Sequence, residues 1–187
     1  PPRVSLPAPA AAKSSLAAAH QARKAGESRS AAEGSPEEWQ LRLEVTRGRL
    51  KDGQNFLGIS SGTRNEYDRW DRLEPPRVFK KSLSLYFPHE EWSHRPGRYS
   101  SDFRPPPGIG QSQSYELVVE AGKANAQVVL SWAGIEQVPS GYGLWLVDLD
   151  KKKFEPIDLR TKSSYRFGSG RKGKRRLQVL VTLTPKR

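Results

Sequence analysis

From Trp39 onward, apolar and polar residues alternate along the chain. Trp39, Leu41, Leu43 and Val45 interleave with Gln40, Arg42, Glu44 and Thr46. A period of two is the mark of a strand with one dry and one wet face. The clearest cluster of such runs lies between Gln127 and Arg160. There QVVLSW, GLWLVDL and PIDLR are separated by the Pro/Gly turn PSGY and the charged connection DKKKFE. The pattern recurs on both sides. Val78, Leu83, Leu85 and Phe87 mark a long strand in VFKKSLSLYF, where Phe79 and Lys80–Lys81 break the alternation and predict a bulge or an edge position. SYELVVEA and NAQVVLSW flank a Gly-Lys turn and predict a hairpin. SSYRFGS and LQVLVTLT close the series, with the basic glycine-rich segment GSGRKGKRR between them as a hairpin tip.

Between these runs the chain is punctuated. KDGQNFLGISSG reads as turn residues around a short apolar piece, and TRNEYDRWDRLEPP as irregular chain ending at Pro75-Pro76. The segment from Pro88 to Gly110 holds five prolines and one short candidate strand, RYSSDF. The tally is eight or nine short strands and no helical stripe after Trp39. That predicts an all-β, two-sheet antiparallel sandwich over 39–187. The runner-up is a barrel of the oligonucleotide-binding type.

Residues 1–38 break the pattern and read as an extended, mostly irregular arm or linker. PPRVSLPAPA is Pro-rich, AAKSSLAAAHQARKA favours a short helix with no stripe to bury, and GESRSAAEGSPEE is small and polar. Leu6 and Leu16 are its apolar candidates for packing on a partner. Across the 187 residues, hydrophobic content is 35% and mean hydropathy is −0.75, low enough to expect an unpacked part. No apolar run approaches the 18 or so residues of a membrane span. The chain has no Met, which predicts a processed product or a fragment. It also has no Cys, so disulfide and thiolate chemistry are excluded.

Charge changes the picture. Of the net +12, the last 37 residues contribute +11, from thirteen basic and two acidic side chains. Lys151, Lys152 and Lys153 form one basic turn, and Arg171, Lys172, Lys174, Arg175 and Arg176 another. Such a field selects acidic partners: a protein subunit with an acidic surface first, then nucleic acid or an anionic membrane surface. Gly168, Gly173 and Lys174 imitate a phosphate-binding loop, but Arg175 stands where Ser or Thr is required and a strand follows instead of a helix.

Other chemistry is sparse. His89, Glu90, Glu91 and His94 lack the H-E-x-x-H spacing, which favours a solvated loop with Trp92 tucked against the sandwich. Asp68 and Asp71 are the candidates for a cation, but Arg64, Arg69 and Arg72 among them favour loop closure. No G-x-S-x-G element occurs, and no cofactor is implied. Tyr142, Trp145 and Tyr165 would suit sugar binding if they shared a face, which alternation does not permit for all three.

The succession LGISSGTRNEYDRWDRLEPP, LSLYFPHEEW, RYSSDFRPP, VVLSWAGIEQVPSGYGLWLVDLD, IDLR and SYRF resembles the immunoglobulin-like β-sandwich modules near the C-terminus of secreted and cell-surface bacterial proteins. The resemblance implies an adhesion or assembly role without enzymatic activity, in the periplasm or at the cell surface. Carbohydrate-binding accessory modules are the further alternative. The chain departs from the resemblance in its basic 151–176 and in ending at Pro185-Lys186-Arg187.

Overall fold

The computed structural model describes residues 38–76 and 82–184, in which eleven strands form two sheets. In chain order they are β1 (Trp39–Arg47), β2 (Leu50–Ile59), β3 (Ser84–His89), β4 (Gly97–Tyr99), β5 (Ser101–Arg104), β6 (Ser112–Glu120), β7 (Gln127–Ala133), β8 (Tyr142–Asp148), β9 (Ile157–Asp158), β10 (Ser164–Gly168) and β11 (Lys174–Leu183). One sheet runs β10-β7-β1-β2-β5 and the other β4-β3-β6-β11-β8-β9. Among the described residues no helix is long and apolar enough to cross a membrane.

The alternation of β1 sets the core. Trp39, Leu41, Leu43 and Val45 are buried, as are Leu57 and Ile59 from β2 and Val128, Leu130 and Trp132 from β7. The opposite sheet answers with Leu85 and Phe87, Tyr115, Leu117 and Val119, Leu144 and Leu146, and Leu177, Val179 and Val181. Two inner faces meeting in one apolar layer is the sandwich that the alternation predicts.

Pairing departs from the expected one in several places. The segment KDGQNFLGISSG contains the ten-residue strand β2, because Phe56, Leu57, Gly58 and Ile59 continue the ladder begun by the tight turn at Gly48. RYSSDF is two strands: Tyr99 lies in the second sheet and Ser101 in the first, so the chain changes sheet at Ser100. There β5 pairs with β2 in parallel, an exception to an all-antiparallel arrangement. SYELVVEA and NAQVVLSW do not form a hairpin. β6 pairs with β3 and β11, while β7 pairs with β1 and β10, so the turn between them crosses the sandwich.

The basic glycine-rich segment crosses likewise, from β10 to β11, and is no hairpin tip. The run from Gln127 to Arg160 is divided in the same way, β7 in one sheet and β8 with β9 in the other. Eleven strands exceed the eight or nine expected because short strands such as β4 and β9 carry no alternation to read. The strand expected over 78–87 runs from Ser84 through Pro88 to His89, and its first part lies outside the described residues. Residues 1–37 of the arm, with Leu6 and Leu16, lie outside them too.

Candidate functional site

β11 runs antiparallel to both its neighbours, so its start sits beside the ends of β6 and β8: Lys174 faces Glu120, and Leu177 faces Asp148. The start of β7 and the end of β10 meet at Gln127 and Gly168. One end of the sandwich therefore gathers the β1–β2 turn, the β6–β7 crossing, the β8–β9 connection and the β10–β11 crossing. Both basic segments found in the sequence lie here, and Arg47, Arg49 and Lys123 join them. Direct bonds tie these loops together. The Arg47 guanidinium donates to the Ala121 carbonyl. Ala121 N–H donates to Gly173 O at 2.7 Å, Asn125 N–H to Gly170 O at 2.8 Å, and Leu149 N–H to Arg176 O at 3.1 Å. The Ser169 hydroxyl, fully buried, donates to Lys123 O at 2.9 Å and accepts from Ala126 N–H at 3.0 Å.

The cations at this end fall into two groups. Arg175 is held in place: its guanidinium donates twice to Asp148 Oδ2, at 2.7 and 3.1 Å, and the Tyr165 hydroxyl donates to the same oxygen at 2.7 Å. Burial works against the Arg175 charge, but Asp148 outweighs it and raises the pKa. Lys174 approaches Glu120 at 3.7 Å, Arg176 approaches Asp150 at 3.4 Å, and Lys151 approaches Glu155 at 3.4 Å. Lys152, Lys153, Arg171 and Lys172 are exposed and, among the described residues, make no ion pair within 4.0 Å. Next to the lysine run, Phe154 is 71% exposed.

No protein-family model, no curated protein and no solved structure matches this chain. The reading of the site therefore stands on its geometry. An all-β sandwich whose loops converge on one charged end is an arrangement suited to interaction, the rigid sheets fixing where the loop side chains sit.

The other concentration of chemistry is buried at a lateral edge of the sandwich, and it joins the two sheets. His89 of β3 sets Nε2 3.0 Å from Asp102 Oδ2 of β5 and Nδ1 2.8 Å from Glu91 Oε1. Two carboxylates facing both ring nitrogens require an N–H on each, which is the imidazolium form. Burial opposes that charge, but Asp102 and then Glu91 prevail and raise the His89 pKa. Burial alone would raise the Asp102 pKa, yet His89 and Arg104 hold it below the usual range. Arg104 donates to both oxygens of Asp102, at 3.0 and 2.8 Å, and lies 4.8 Å over the Tyr115 ring of β6. The Trp92 ring stacks on His89 with centroids 3.7 Å apart and planes 4° from parallel. Trp92 is thus tucked in as expected. His89 is not in the solvated loop expected of it but is buried at the end of β3, because its partner Asp102 comes from a different strand, β5.

Asp68 and Asp71 serve loop closure. Asp68 accepts from Arg64 N–H and Trp70 N–H at 2.9 and 2.8 Å, and Asp71 from Asp68 N–H and Phe103 N–H at 2.9 and 3.2 Å. Burial pushes Asp71 up to about 6, with the two backbone donors pulling against it. Among the described residues no three His, Asp or Glu side chains are grouped to hold a metal ion. Tyr142 is buried, Trp145 is 37% exposed on β8, and Tyr165 lies in the other sheet on β10, so the three share no face.

Proposed function

We propose that the domain is a docking module: a structural or assembly subunit that seats its basic end on an acidic protein surface. The observation that carries this reading is the gathering of Lys152, Lys153, Arg171 and Lys172 at one end of the sandwich, without an ion-pair partner among the described residues, with Phe154 exposed next to Lys153. Unpaired cations give long-range attraction and a fast encounter with an acidic partner. An exposed aromatic among them supplies the apolar anchor around which protein interfaces concentrate their energy. A reader of the duplex phosphate backbone has no use for such an anchor, so a protein partner is favoured over duplex nucleic acid. The bacterial surface or periplasmic setting rests on the sequence resemblance alone.

The test is a photo-cross-linking residue placed at position 154 of the full chain, with position 136 at the opposite end as control. Expected is one protein adduct specific to position 154, lost on K152E/K153E/R171E/K172E and weakened as salt rises. Nucleic-acid or lipid adducts at 154, or equal adducts from both positions, would overturn the proposal.

A further inference from the structure

A groove of about 480 Å³ opens on the first sheet near its β5 edge, at the end opposite the basic loops. Its floor is unusual for the wet side of a sheet. Outward positions on β2 and β5 carry Phe56 and Phe103, both half-buried, where alternation would ordinarily place polar residues. Gly58 makes this possible. A Cβ there would lie 2.7 Å from the Phe103 ring and 2.4 Å from the Trp39 carbonyl, so only glycine lets the ring lie on the strand. The wall is Trp70, which is 42% exposed and sits 6.4 Å from Phe103 between ring centroids at a 50° tilt. The loop that presents it is pinned by the Asp68 and Asp71 bonds and by Ser101, whose hydroxyl donates to Trp70 O at 2.8 Å. A large exposed ring held this firmly is a built surface.

The polar groups are equally particular. Arg69 places its guanidinium 5.3 Å over the Trp70 ring, and Arg72 is exposed at the same groove, neither with an ion-pair partner among the described residues. Glu38, the acidic side chain at the groove, accepts from Ser60 and Ser61 instead. Gln40 and Gln137 bring exposed amides to the rim, each able to donate and accept. Trp39, also lining the groove, keeps its indole N–H buried without a protein acceptor.

From these features we infer a binding site for a short acidic saccharide of the uronic-acid class, carried by the Trp70–Phe103 aromatic cleft and the Arg69–Arg72 pair. A pyranose ring offers an apolar C–H face to the aromatic rings, adjacent hydroxyls to the two amides, and a carboxylate to the guanidinium fork. The volume lies within the roughly 300–1,000 Å³ of small-ligand sites. This inference is independent of docking through the basic end.

Because the basic end attracts any polyanion, the test uses the full chain carrying K152E/K153E/R171E/K172E. Trigalacturonate is titrated by calorimetry and by tryptophan fluorescence, with maltotriose as the neutral probe. Expected is saturable binding of trigalacturonate at least tenfold tighter than of maltotriose. Trp70→Ala should weaken it at least tenfold, and R69A/R72A should remove the preference for the acid. Both sites are exposed, so unchanged circular dichroism is expected of each variant. No binding of either probe, equal binding of both, or binding that survives both variants would overturn the inference.

Discussion

His89 shows how one residue couples the sheets to pH. Its imidazolium is bound by Asp102 and Glu91, so its folded pKa lies above the ordinary value near 6.5. The stability it adds is complete below that ordinary value and disappears as pH rises through the folded one. Asp71 acts in the same sense at lower pH. Its folded pKa near 6 exceeds the unfolded value near 4, so its contribution is present below about 4 and lost by about 6. Urea unfolding of the full chain should therefore show stability falling between pH 6 and pH 8. His89→Asn should lower stability by about 1–3 kcal/mol at pH 6, since it removes one of the two cations that hold the buried Asp102 and leaves Arg104 alone, and should flatten the slope above pH 6. A slope unchanged in the variant would refute the role of His89. At this scale the sequence showed little, because thirteen residues separate His89 from Asp102 and no spacing rule joins them.

At the scale of elements, the crossings between sheets position the basic end. A hairpin would have kept the GSGRKGKRR segment within one sheet. As a crossing it is held against the β6–β7 turn, where Gly173 has φ +65° and its would-be Cβ lies 3.1 Å from the Lys123 backbone. Gly173→Ala should accordingly cost about 1–3 kcal/mol through left-handed strain and backbone overlap. Thermal melting of the full chain should show it as a fall of several degrees, whereas Gly168→Ala, with nothing within 4 Å, should cost far less. Equal losses at the two glycines would remove the argument. Strands with strict alternation, β1 and β11, were legible in the sequence because each buries one face. β2 was not, because its outward side carries Phe56 and Gly58 where polar residues were expected.

At the scale of the whole molecule, exposed cations without partners gather at one end of the sandwich, away from the apolar layer between the sheets. Lys152, Lys153, Arg171 and Lys172 repel one another at one end and pair with nothing within it, so their reversal to Glu should leave the core intact. At low ionic strength the fourfold variant should melt no lower than the parent, and raising salt should stabilise the parent more than the variant. A melting temperature lowered by several degrees at every salt concentration would mean that these cations hold the fold together, leaving the end unsuited to docking.

What the sequence determined by itself is the class of fold: period-two runs with no helical stripe must pair as strands, and two half-wet faces must close on each other. It also determined that the positive charge lies in 151–187. Only the tertiary structure decided which runs share a sheet, because apolar periodicity is the same whichever neighbour a strand takes. That decision placed the two basic segments at one end, brought His89 to Asp102, and assembled an aromatic groove from β2, β5 and the Trp70 loop. Each arises from contacts distant in the chain, which hydrophobic pattern alone does not encode.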